Sequence, residues 1–188
     1  ERVGGAAAEL GPRGADPRPK LRVDSIRPTP QTDGSMKTLL VGCGSISRQE
    51  LKGLTTHPDV EVTALVDLRI ENAEARKNEF DLVGAETSTD LEAMLAKHKP
   101  RIVVDCTIPE AHSRITRTAL AHGAHVLGQK PMADTLKNAR AAVRAAEDSG
   151  LRYGIIQTMR FGATVRALRD FVATGALGEV TTVDHRFF

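Results

Sequence analysis

A doubly wound parallel α/β sheet is the fold class this chain predicts, and three observations carry the prediction. Short apolar runs alternate with helix-length amphipathic segments from residue 36 onward, a glycine-rich turn follows the first run, and an aspartate closes the second. Strands separated by helices of this length are joined by right-handed crossovers, which make the sheet parallel.

Each element has a local reason. Residues 37–41, Lys-Thr-Leu-Leu-Val, form an apolar run rich in β-formers that ends at Gly42, and a helix is expected over about 46–56. The run 60–66 alternates toward Asp67, and a second helix follows over about 70–82. A short strand is expected near Glu86 to Ser88. In the helix 89–98, Leu91, Met94 and Leu95 share one face, and Pro100 stops it before the strand 101–107. Pro109 opens a helix over 110–122 that ends at Gly123, and the strand 124–127 leads into the loop Gly128-Gln129-Lys130-Pro131. A helix over 135–149 stops at Gly150, and the strand 152–157 completes the sheet. The last thirty residues break this rhythm: a helix over 164–173, a turn from Gly175 to Gly178, and an alternating strand over 179–188 that looks like the first strand of another sheet.

Three parts follow: a tail 1–35, a dinucleotide-binding domain 36–157, and a segment 158–188 that links to and opens a second domain. The tail holds five of the nine prolines and five of the sixteen glycines with almost no apolar periodicity, so it is expected to be disordered. Met36, immediately before the first strand, is the expected natural start.

Composition narrows the partners. With 40% hydrophobic and 27% charged residues the chain is an ordinary globular protein. A formal charge of +2 and 3% aromatic residues point to neither nucleic acid nor an acidic membrane as partner. No apolar run approaches the ~20 residues that span a bilayer, and no secretory signal is visible, so a cytoplasmic location is expected. Cys43 and Cys106 are the only cysteines; neighbouring first and fourth strands would bring them to one rim of the sheet, as a functional thiol pair or as two inert reduced cysteines. The six histidines form no metal-ligand spacing, and no metal site is expected.

The turn Gly42-Cys43-Gly44-Ser45-Ile46-Ser47 is the strongest chemical signal. Gly42 permits a tight turn off the strand, Gly44 leaves the backbone open to a pyrophosphate, and small Ser47 lets the next helix pack close. Ser45 and Ile46 complete the loop at the helix N-terminus, whose N–H groups and dipole favour phosphate. Asp67, twenty residues past Ser47, is placed to accept hydrogen bonds from a ribose diol. A methyltransferase loop would carry an acidic residue just before it, where this chain has Leu40 and Val41, and a glycine at Ile46. The turn therefore reads as a Rossmann site for a nicotinamide dinucleotide. Asp67 repels a 2′-phosphate and favours NAD, whereas Arg69 could attract one, so NADP stays possible; the alternative for Arg69 is a solvated residue at a helix start.

Lys130 is the candidate catalytic residue, because it follows the fifth strand at the rim where doubly wound sheets bind ligands. An ammonium there can stabilise a developing alkoxide or protonate a carbonyl, and Pro131 restricts its backbone. Thr107, at the end of the fourth strand, and Pro109 and His112 just after it are read as bordering the cofactor, with helix capping or packing as the alternative for His112.

Taken together these motifs resemble the Gfo/Idh/MocA oxidoreductases over essentially Met36 to Phe188. The carriers are the glycine turn, Asp67, Pro109 with His112, Gly123-Ala124-His125-Val126-Leu127, Lys130-Pro131, Arg160-Phe161 and Gly175-Ala176-Leu177-Gly178-Glu179-Val180. The resemblance implies that Lys130 contacts substrate and nicotinamide, that Arg160-Phe161 opens the link to a second domain, and that the substrate is a sugar, cyclitol or related polyol. It also implies a homo-oligomer at full length, built on a second domain whose aspartate and histidine complete the site. Gln129 departs from the family's usual glutamate and removes a charge beside Lys130. With one strand of that second domain present, cofactor binding without turnover is expected of these 188 residues. The other reading is a regulatory protein that binds the dinucleotide without hydride chemistry.

Overall fold

The computed structural model describes residues 35–184 and 186. The expected disordered tail, apart from Ser35, and the Phe187-Phe188 pair lie outside the described residues.

Six parallel strands form one sheet in the order β3-β2-β1-β4-β5-β6. They are β1 (Met36–Val41), β2 (Val60–Val66), β3 (Glu86–Ser88), β4 (Ile102–Asp105), β5 (His125–Gly128) and β6 (Tyr153–Ile155). The order reverses direction between β1 and β4, which leaves a crevice at the carboxyl ends of those strands.

Alternation along the central strands separates two cores. Leu39 and Val41 of β1 point to one face, where Val103, Val126 and the apolar stripes of α3 (Leu91–His98) and α4 (Pro109–Ala121) bury them, with Ala145 and Ala146 of α5 (Leu136–Ser149) against the edge. Leu40 points to the other face with Leu65 and Val104, covered by Leu51 of α1 (Ser47–Thr56) and Ala73 of α2 (Ile70–Glu79). A strand with both faces covered reads as the near-continuous apolar run seen at residues 39–41.

Helix ends follow their capping chemistry. Asp90 and Thr135 accept the N–H groups of Ala93 and Asn138 at the starts of α3 and α5, and Gly150 closes α5 in the left-handed region. Lys99, at φ 46°, does the same for α3 without being glycine, one residue before Pro100.

Beyond β6 the chain makes a 3-10 turn, Thr158–Phe161, and then α6 (Ala163–Ala173). The strand expected over 179–188 does not form in the described residues: 180–184 and 186 have no regular structure. A strand needs a neighbour to take its backbone hydrogen bonds, and none of the six pairs with these described residues.

Candidate dinucleotide site

The carboxyl rim is built by hydrogen bonds that carry the ladder past the ends of the strands. Gly42 N–H donates to the Val66 carbonyl at 2.8 Å, Cys106 N–H to Val41 at 2.7 Å, and Gln129 N–H to Asp105 at 2.8 Å. The three loops that follow β1, β4 and β5 therefore leave the sheet from one rigid edge.

Gly42 turns at φ 88°, and a Cβ there would lie 2.6 Å from the Cys106 carbonyl carbon and 2.7 Å from Thr107 N. Close packing of the β1 and β4 ends thus requires glycine. Gly44 differs: its φ lies outside the left-handed region and a Cβ would meet nothing within 4 Å. Gly44, Ser45 and Ile46 are exposed, and no side chain caps the N-terminus of α1. Open backbone followed by an uncapped helix start fits a pyrophosphate. Ser47 is buried and its hydroxyl donates to the Gly44 carbonyl at 2.6 Å, which closes the turn onto the helix.

Asp67 anchors the same turn from β2. One carboxylate oxygen accepts the Cys43 N–H at 2.7 Å; the other accepts from Arg69 N–H at 2.9 Å and from the Asn72 amide at 3.0 Å. From its position at the β2 end, the carboxylate shapes the turn itself. Arg69 is exposed, 4.0 Å from Glu71.

Sequence reasoning passed over Arg76. This residue of α2 is 8% exposed, donates through Nε to the Gly44 carbonyl at 3.3 Å and to Ser47 Oγ at 3.1 Å, and pairs with Glu79. It latches the glycine turn from below with a positive charge. An arginine on an otherwise polar helix carries no local mark of such a role; only its partner, 32 residues earlier, reveals it.

Asp105 ends β4 fully buried. Thr107 donates to its Oδ1 through both N–H (2.9 Å) and Oγ1 (2.6 Å), while Oδ2 has no hydrogen-bond partner. Burial raises its carboxyl above the usual range, against the lowering effect of Thr107 and of His112. His112, also buried, sets its ring nitrogens 2.7 Å from the Pro131 carbonyl and 3.1 Å from that of Thr107. It ties the Lys130 loop to the β4 loop. Pro109 sits at the first position of α4.

Cys43 and Cys106 are buried and free. Burial and the Asp67 charge push the Cys43 thiol up to about 12, and burial raises Cys106 likewise. Both are poor nucleophiles at neutral pH, as expected of inert reduced cysteines. Among the described residues no cluster of metal-ligating side chains is present, and no helix is long and apolar enough to cross a membrane.

Lys130 is exposed and joined to Pro131 by a cis peptide bond. It lines a cleft of about 400 Å³ with Ile46, Glu50, Gln129, Gln157 and Arg160. Gln129 is 7% exposed, and its amide donates to Glu50 Oε1 at 2.7 Å. A carboxylate from α1 thus sits on Gln129 and lines the same cleft, carried by a residue that the glycine motif gave no reason to select.

Comparison with known proteins agrees with this geometry. The family described as oxidoreductase family, NAD-binding Rossmann fold, matches residues 36–157. The 1,5-anhydro-D-fructose reductase of Ensifer adhaerens is 31% identical over 139 residues, covering 74% of this chain and 41% of its own. D-glucoside 3-dehydrogenase of Escherichia coli is 29% identical over 150 residues, covering 79% and 42%. The structure of WlbA dehydrogenase from Bordetella pertussis in complex with NADH and UDP-GlcNAcA superposes with a TM-score of 0.74 at 26% identity, over 80% of this chain and 43% of that one. The chain thus spans less than half the length of the relatives it matches. Its turn, its sheet order and the family match over 36–157 assign it to the Gfo/Idh/MocA oxidoreductases, as a chain carrying their NAD-binding Rossmann fold.

Proposed function

We propose that this chain is the cofactor-holding part of an NAD-dependent dehydrogenase that moves hydride between the nicotinamide and a secondary alcohol or carbonyl of a sugar, cyclitol or related polyol. The observation that carries the reading is Lys130, whose ammonium lines a cleft on the β4-β5-β6 side of the switch point, opposite the side marked by Asp67. A dinucleotide crossing between β1 and β4 has its adenosine diol at Asp67 and its other half in that cleft. Two relatives named for an anhydro sugar and a glucoside support the substrate class.

The chain's residues divide the work. Gly44, Ser45, Ile46 and Ser47 offer backbone and the helix start to the pyrophosphate, held in shape by Gly42, Asp67 and Arg76. Thr107, Pro109 and His112 fix the β4 loop against the Lys130 loop. Lys130 faces the reacting oxygen, where its ammonium donates a hydrogen bond that stabilises the developing alkoxide in either direction; the alcohol proton passes to a base of the second domain, and that same base returns it to the carbonyl oxygen in the reverse direction. The bound nicotinamide supplies the hydride acceptor and donor. Residues 158–188 are the link to a second, substrate-shaping domain.

The test is titration of NADH and NADPH into the folded chain, followed by cofactor fluorescence, with Asp67→Ala beside it. Saturable NADH binding that weakens in the variant supports the reading. A folded chain that binds neither nucleotide refutes it.

A further inference from the structure

Glu50 is four residues past Ile46 on α1, so both lie on one helix face, and both line the Lys130 cleft. Its carboxylate is half-buried and fixed by the Gln129 amide at 2.7 Å. Gln129 is itself fixed, because its backbone N–H continues the ladder to Asp105. An amide can orient a carboxylate but cannot neutralise it. The forces acting on the Glu50 carboxyl are burial, which raises it, and the bond from Gln129, which lowers it. The other charged side chains along the cleft are Lys130 and Arg160.

Glu50, held by Gln129, and the exposed Lys130 thus bring one anion and one cation to the same cleft. The oxidised nicotinamide ring carries one positive charge, and the ring becomes neutral on accepting hydride. We propose that Glu50 is a specificity-determining residue for the redox state of the cofactor: its fixed anion favours the oxidised ring over the reduced one, and Lys130 acts in the opposite sense. The inference rests on the dinucleotide reading above and goes beyond it, since that reading assigns Glu50 no part. Charge acts through space, so Glu50 need not touch the ring.

Dissociation constants for NAD+ and NADH, measured with the 188-residue chain by cofactor fluorescence and by competition, test this. Glu50→Gln keeps the shape and an acceptor for Gln129 while removing the charge. It is expected to weaken NAD+ by roughly three- to tenfold and NADH by less than about twofold. Lys130→Met, at an exposed position, should move the NAD+/NADH ratio the other way. Equal weakening of both forms by Glu50→Gln, or an unchanged ratio in either variant, would overturn the proposal while leaving the dinucleotide site intact. Failure of the unaltered folded chain to bind either form would instead refute the site reading, and this inference with it.

Discussion

The two glycines of the turn should fail in different ways when each is given a methyl group. In Gly42→Ala the new Cβ lies 2.6 Å from a backbone carbon of Cys106 and 2.8 Å from its oxygen, at a φ of 88°. The left-handed conformation alone costs an L-residue about 1–2 kcal/mol. Relieving the clash means moving the β4 end away from β1, which weakens the Cys106-to-Val41 hydrogen bond and adds about 1–2 kcal/mol. A loss of roughly 2–4 kcal/mol lowers the melting temperature of a domain of this size by about 6–15 °C. Gly44→Ala meets no protein atom within 4 Å and has no left-handed strain, so it should stay within about 0.5–1 kcal/mol of the parent. It should nonetheless weaken NADH at least tenfold, because the methyl group occupies the space argued to receive the pyrophosphate. Thermal melts followed by circular dichroism, paired with NADH titration, separate the two. A Gly42→Ala protein melting within about 2 °C of the parent would falsify the packing argument, and an undiminished NADH affinity in Gly44→Ala would remove the phosphate assignment.

Three further outcomes are expected. Arg76→Met strips the latch on the Gly44 carbonyl and Ser47 and should cost about 2 kcal/mol, visible as a melting point lower by several degrees together with weaker NADH binding; a change in neither shows that the turn holds itself. Thiol titration of the native chain at about pH 8 should label neither Cys43 nor Cys106, whose burial keeps them protonated, while unfolding exposes both; rapid native labelling would contradict their placement. Because burial raises the Asp105 carboxyl in the folded state, its ionisation opposes folding above its folded-state titration range, and that penalty fades as pH falls through that range. Asp105→Asn should therefore melt higher relative to the parent at about pH 8 than at about pH 4, and a difference in melting point that does not vary with pH would count against an ionised Asp105.

The sheet was legible because its signals are local. An apolar run ending at a glycine, as at 37–42, or a helix stopped by Gly150, is written within a few neighbouring residues. For the same reason β2 and β3 lie where expected, at Val60–Val66 and Glu86–Ser88. What escaped depends on distant partners. Arg76 looks like any solvated helix charge until α2 packs under the turn. Glu50 gains meaning only through Gln129, 79 residues later. Asp67 was read as a ligand group, and its grip on Cys43 N–H could not be seen before the β1 and β2 ends were side by side. The described residues 180–184 and 186 show the converse: alternation marks a residue pattern fit for a sheet, but a strand exists only where another offers it hydrogen bonds.

The strand order also governs how such a sheet can assemble. β1 is the first of the six strands to be made and one of the two central ones, yet its partner β4 pairs Thr38 with Ile102, some sixty residues later. At a synthesis rate of about 5–20 residues per second, β1 waits several seconds for that neighbour. During that interval the apolar run Leu39, Leu40 and Val41 can take its native pairing on the β2 side alone, with the other edge of the strand still without its neighbour.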